Sequence, residues 1–223
     1  LDITNGEIAD LPTPSWLDIT GNWVNSKLLL FSDLLNAETG TCERAFTGSM
    51  ISSLMLRSGE YITLATVNNT DKLVLTHYNS DGSPLWTKEL PDNCNVRTIE
   101  VFYQRPVLYE LEDGSVITTF FDKSNMVYNV YNIKLDSTED PLILLHENSV
   151  IATVSPDAKS YAVYKDFQKG NYISSKVEIY SLNRLQNTII DEEFIKNRLL
   201  FWQNNNLYIC STGYTDHAYI HII

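Results

Sequence analysis

YITLATVNNTDKLVLTHYNSDGSPLWTKEL, residues Tyr61 to Leu90, reads as three β-strands joined by two tight turns. Tyr61 to Val67 alternates apolar and polar side chains, the period-two pattern of a half-buried strand. Asn68 to Asp71 turns the chain, and Leu73 to Tyr78 forms the second strand. Asn79-Ser80-Asp81-Gly82 is a hairpin signal, because glycine reaches the positive φ that such turns need. Leu85 to Leu90 carries Trp86 and is ended by Pro91. Similar phrases recur along the chain, and the expected fold rests on that recurrence.

Upstream, Met50 to Arg57 is mostly apolar and reads as the inner strand of this unit, turned by Ser58-Gly59. Before it, Ser15 to Thr20 reads as a strand closed by Gly21-Asn22, and Trp23 to Phe31 as a second, with Leu28 to Leu30 as a buried run. Residues 36–46 give a turn at Thr39-Gly40 and an outer strand, with a helical turn over Leu34 to Glu43 as the alternative. Residues 15–46 look short for a full unit. Leu1 to Thr4 resembles a short strand able to complete the last unit, after which Pro12 and Pro14 break regular structure.

Downstream, Val96 to Tyr103 and Val107 to Leu111 are split around Pro106, the mark of a bulge or an edge. Val116 to Phe121, Met126 to Leu135 and Leu142 to Leu145 follow as strands. The next set is Val150 to Val154, Tyr161 to Tyr164, Val177 to Leu182 and Thr188 to Ile190. Leu199 to Trp202, Leu207 to Cys210 and Ala218 to Ile223 close the chain. The third strand of each phrase begins near Lys72, Met126, Lys176 and His217, in steps of 54, 50 and 41 residues. Propeller blades of four strands repeat at roughly 40–50 residues. The expectation is therefore an all-β protein: a β-propeller of about five short four-stranded blades, or a fragment of one, over residues 1–223.

Two short phrases carry a family resemblance. Ser80-Asp81-Gly82-Ser83-Pro84-Leu85-Trp86 resembles the blade end of quinoprotein-like propellers, where a DG turn leads into a Trp-bearing strand. Val154 to Val163, VSPDAKSYAV, resembles the S-P-D-G-K phrase that opens the second strand in WD40-like and TolB-like propellers, with Ala158 standing in place of Gly. No Trp-Asp dipeptide or Gly-His pair accompanies them. The resemblance implies an architecture and names no specific family.

Composition limits the function. Twenty-eight Asp and Glu against 16 Lys and Arg give a net charge of −12. Such a surface disfavours nucleic acid, whose binding requires cations to displace condensed counterions, and disfavours anionic membranes for the same reason. It suits a partner with a basic surface. No apolar run approaches the ~18 residues of a membrane span. Cys42, Cys94 and Cys210 form no disulfide framework and no CxxC; Cys42 and Cys94 could pair in a secreted protein, whereas small buried free thiols are commoner. Asn68-Asn69-Thr70 matches a glycosylation acceptor that counts only in the secretory pathway. The chain begins with Leu1 rather than Met, so a leader or anchor can have been removed. Intracellular location is favoured over secreted or periplasmic.

No catalytic residue, cofactor site or metal site emerges. His217 and His221, placed on a strand, lie ~13 Å apart and cannot share an ion. His146-Glu147 lacks the second histidine of HExxH. There is no G-x-S-x-G, G-x-G-x-x-G or Walker sequence. The acid-rich turns at Asn79–Gly82 and Asp136–Asp140 do not fit an EF-hand. The candidate partner-binding residues are Trp16, Trp23, Asp191, Glu192, Glu193 and Phe194: tryptophans in the least regular segment, and an acidic run that is either a docking site for a basic partner or a solvated loop. Trp86 is assigned to packing between blades. The expected function is a non-enzymatic scaffold for protein–protein interaction within a larger assembly. The alternative is an extracytoplasmic bacterial propeller, lipoprotein or periplasmic, that binds a small ligand or assists an envelope complex.

Overall fold

The computed structural model describes residues 21–24, 27–30, 33–36, 38–44, 49–67, 70, 72–95, 108–137, 139–165, 176–181, 184–190, 198–203, 206–212 and 218–222. The described residues form five antiparallel sheets that follow one another along the chain. The first sheet is β1 (Gly21–Val24), β2 (Lys27–Leu30), β3 (Asp33–Asn36) and β4 (Thr41–Arg44). The second is β5 (Ser49–Met55), β6 (Tyr61–Thr66), β7 (Leu73–Tyr78) and β8 (Pro84–Glu89). The third has β9 (Cys94–Asn95), β10 (Tyr109–Glu110), β11 (Val116–Asp122), β12 (Val127–Ile133) and β13 (Leu142–His146). The fourth is β14 (Ser149–Val154), β15 (Ser160–Lys165), β16 (Lys176–Ser181) and β17 (Arg184–Ile190); the fifth is β18 (Arg198–Gln203), β19 (Asn206–Thr212) and β20 (Ala218–Ile222). Each sheet is a meander in chain order, the arrangement of propeller blades.

Burial explains why the strands differ in sequence. β11 lies second in its sheet, neighbouring sheets cover both of its faces, and all seven of its residues are buried. A strand covered on both faces loses the alternation of a half-exposed one. β8, at the outer edge of its sheet, keeps only Trp86 and Lys88 partly covered. The core is shared between sheets. Leu54, Ile62, Leu64 and Leu75 of the second sheet pack with Val116, Phe120 and Ile133 of the third. Phe121 and Tyr128 of the third pack with Val150, Ala162 and Val177 of the fourth and with Leu207 of the fifth. Leu29 of β2 packs on Met55 and Tyr61, joining the first sheet to the second.

The structure corrects three expectations in the first sheet. The strand expected over Trp23 to Phe31 is a hairpin: Gly21 pairs with Leu30 and Val24 with Lys27, so Gly21-Asn22 opens β1 instead of closing an earlier strand. The helical alternative over Leu34 to Glu43 is replaced by β3 and β4 around Gly40, whose φ is +67°. Four-residue strands let 21–44 form a complete four-stranded sheet, so this unit is not too short. Ser15 to Thr20, Leu1 to Thr4 and the Pro106 segment lie outside the described residues.

The inner strand of the third sheet is divided. Cys94 and Asn95 pair with Asp122 and Phe121, and Tyr109 and Glu110 pair with Ile117 and Val116, on the same edge of β11. Three residues lie between Ile117 and Phe121, while thirteen lie between Asn95 and Tyr109. The inner strand therefore carries ten residues more than its register uses. This accounts for the long 54-residue step between third strands, from Leu73 to Val127; without the ten it is 44.

Candidate functional site

Neighbouring sheets are joined at three levels, and these junctions frame every candidate site. At one face, the β5–β6 turn meets β10: Arg57 donates its backbone N–H to Glu110 Oε2 at 2.9 Å. The β10–β11 turn then meets the β14–β15 turn. Glu112 N–H donates to the Ala158 carbonyl at 2.9 Å, and Lys159 Nζ lies 3.5 Å from Glu112 Oε1. Ala158, at the position where the propeller phrase has Gly, takes φ +57°, so the turn keeps the left-handed residue although the glycine is gone. Within that turn Asp157 Oδ1 lies 2.7 Å from Ser155 Oγ and accepts Lys159 N–H at 3.1 Å, which holds its pKa below the usual range.

A polar cluster is built between the third and fourth sheets. His146, on β13, sets Nε2 2.9 Å from the Tyr161 hydroxyl on β15. Its ring lies 4.1 Å from that of Tyr180 on β16, and Tyr161 and Tyr180 stack at 5.4 Å with planes 15° apart. Tyr180 donates to Glu178 Oε2 at 2.5 Å, and Lys176 Nζ is 3.1 Å from Glu178 Oε1. Burial drives His146 down to about 4, helped by the Lys165 charge and opposed by Glu178. Burial pushes both phenols well above their usual value, with the Glu178 charge adding to the effect at Tyr180. At Glu178, burial raises the carboxyl, but hydrogen bonds from Tyr180 and Lys176 win and hold it below the usual range. The arrangement shares protons internally and fixes the two sheets against each other. Tyr161, fully buried, offers no surface for a substrate.

His77 makes a related structural contact in the second sheet. It is buried, its Nε2 lies 3.3 Å from Glu60 Oε2, and its ring meets Trp86 edge-on at 5.6 Å. No group of three His, Cys, Asp or Glu able to hold a metal occurs among the described residues. Cys94 is a free, buried thiol, so the alternative pairing with Cys42 does not form; burial, with the Asp122 charge, pushes it up to about 11.

The third junction leaves a concave surface. Trp86 Nε1 donates to the Leu135 carbonyl at 2.8 Å, and Lys88 Nζ to the Glu139 carbonyl at 2.7 Å. These bonds tie the outer strand of the second sheet to the β12–β13 loop of the third. Between them and the strand ends runs a groove of about 370 Å³, lined by residues 88–92 and 140–142. Leu90 and Pro141 are buried at its wall; Glu89, Asp92 and Asp140 stand exposed around it. Lys72 Nζ lies 3.7 Å from Glu89 and 3.6 Å from Asp92, both solvent-exposed pairs of small energetic weight.

Of the residues singled out from sequence, Trp16, Asp191, Glu192, Glu193 and Phe194 lie outside the described residues. Trp23 lies on β1, its backbone paired with Leu28. None of them is among the groove residues 88–92 and 140–142. The groove residues carried a weak signal: two Asp-Pro or Pro-Asp dipeptides, Pro91-Asp92 and Asp140-Pro141, which read only as strand terminators. Glu178 was legible as a carboxylate inside the apolar strand KVEIYS.

Antiparallel sheets of three to five described strands, following in chain order and each sharing its core with the next, define a β-propeller fold. Solved structures agree. The β-propeller domain of the Trilobed protease from Pyrococcus furiosus superposes with a TM-score of 0.51 at 10% identity, over 88% of this chain and 58% of that one. TolB from Acinetobacter baumannii superposes with a TM-score of 0.50 at 15% identity, over 85% of this chain and 50% of that one. The chain thus spans between half and three-fifths of the length of these propellers. No protein-family model and no curated relative matches the sequence. The chain has the propeller fold, with no narrower family.

Proposed function

We propose that this chain is a non-enzymatic propeller module that binds another protein. The observation that supports this reading is the groove between the outer strand of the second sheet and the start of the third sheet's outer strand. It is concave, and it is braced on its own flank by the Trp86 and Lys88 bonds. A surface held in place before binding loses little conformational freedom on association. The titratable cluster around His146 is turned inward, joined across the sheets by the His146–Tyr161 bond and within β16 by the Tyr180–Glu178 bond, so the chemistry-bearing side chains there serve the scaffold.

The alternative reading is an extracytoplasmic propeller that takes a small ligand or assists an envelope complex. It draws on the fold likeness to TolB, at 15% identity. Affinity capture with the 223-residue chain from its source cells, followed by size-exclusion chromatography, separates the two. A stoichiometric protein partner is expected. A chain that elutes alone and carries a tightly held small molecule overturns the proposal in favour of the alternative.

A further inference from the structure

Building on the interaction reading, we infer that the groove binds a basic side chain, arginine or lysine, presented by an extended segment of the partner. Part of the backbone around the groove is already engaged. Leu90 N–H donates to the Leu73 carbonyl at 2.8 Å. The Pro91 carbonyl accepts Cys94 N–H at 2.8 Å, and the Pro141 carbonyl accepts Lys134 N–H at 2.7 Å. Pro91 and Pro141 have no N–H to offer. With those groups taken, specificity falls to side chains.

Those side chains define one chemistry. Glu89, Asp92 and Asp140 are the exposed carboxylates of the lining, beside Leu90 and Pro141, and the lining cation, Lys88, is held on the Glu139 carbonyl. No hydrogen bond or ion pair holds the Asp140 side chain among the described residues, whereas the counter-charge at Glu89 and Asp92 is a half-exposed Lys72 that can swing away. A long basic side chain lays its methylenes on apolar surface and sends its charge to carboxylates. A compact metal ion fits less well, since no three acidic or metal-ligating side chains converge among the described residues. Anions are repelled, here and by the chain's net charge of −12. The volume of about 370 Å³ lies at the lower end of ligand sites, enough for one long side chain with its neighbours and too small for a helix.

The test is amide chemical-shift perturbation on the ¹⁵N-labelled full chain, titrated with the peptide acetyl-Gly-Leu-Arg-Leu-Gly-amide. Controls are the same peptide with citrulline for arginine, calcium chloride alone, and the variant Glu89→Gln/Asp92→Asn/Asp140→Asn. All three substitutions are at exposed positions, so the variant should keep the wild-type Tm. The expected result is saturable shifts at the non-proline amides of 88–92 and 139–142, weakened at least fivefold in 0.5 M salt and lost with citrulline or in the triple variant. Equal shifts with citrulline, shifts retained in the variant, or the same shifts from calcium overturn the inference. Silent groove amides with shifts elsewhere also overturn it while leaving the interaction reading standing. That reading falls separately, if capture returns no protein partner.

Discussion

Lowering the pH from 7.5 to 5.0 should cost this protein stability through His146, and replacing His146 with Gln should remove that loss. His146 has a folded pKa of about 4 against an ordinary 6.5. Between those values the unfolded chain holds more protons than the folded one, so stability rises with pH. The contribution is fully present above about 6.5 and drains away as pH falls towards 4. Taken at face value, the shift gives about 2 kcal/mol of loss by pH 5.0. His146 is only half-buried, and solvent screening reduces this to about 1 kcal/mol. The groups facing it are Lys165 and Glu178 as charges and Tyr161 and Tyr180 as ring neighbours. The carboxylates with lowered values, Asp81, Asp122, Asp157 and Glu178, start from 3.8 or 4.5 and move further down, so they stay charged at pH 5.0. Urea unfolding of wild type and His146→Gln at both pH values isolates the term, because the other three histidines cancel in the difference. A double difference below about 0.3 kcal/mol, or of the opposite sign, refutes the reasoning.

Trp86→Phe should lower stability by about 1–2 kcal/mol in urea unfolding, since it leaves the Leu135 carbonyl without its donor and thins the packing against His77; a loss under 0.5 kcal/mol counts against an inter-sheet role. At Gly82, φ is +84° and an added Cβ would meet open space, so Gly82→Ala should cost only the conformational term, about 1 kcal/mol in Tm-derived stability. Gly82→Asn should cost less, because Asn tolerates this region. Removing residues 97–106 leaves three residues between Asn95 and Tyr109, the number that the register of β11 needs. The deletion spares every described residue, so the variant should stay within about 2 kcal/mol of wild type by chemical denaturation. A loss above 4 kcal/mol shows that the ten residues belong to the fold.

Strand positions were legible where the chain alternates or runs apolar between turns. The third strands begin at Leu73, Val127, Lys176 and Ala218, within one residue of the expected starts. The repeat looked irregular because an insertion inside one strand and a change of blade length give the same arithmetic. β9 is two residues long and carries no pattern of its own, so only its pairing with β11 separates the two causes. The first sheet was misread for the opposite reason. Trp23 to Phe31 is apolar enough for one long strand, and its reversal at 25–26 contains neither Gly nor Pro. The candidate site was hardly legible at all. Glu89, Asp92 and Asp140 lie on different sheets' strand ends, and nothing in the spacing says that 92 and 140 border one groove. The His146 cluster escaped likewise, since its members come from three strands: Tyr161 and Tyr180 meet as register partners of β15 and β16, and His146 reaches them from the neighbouring sheet.

The divided inner strand of the third sheet also marks a port for grafted sequence. Its two halves leave and rejoin β11 along one line, four residues of strand apart, or about 13 Å. Any cargo whose own ends lie at that separation, a reporter peptide or a small folded domain, can be spliced there without asking either half to move. The same geometry makes this blade the place where length can change between related chains at little cost to the scaffold, while the other inner strands, β1, β5, β14 and β18, are continuous.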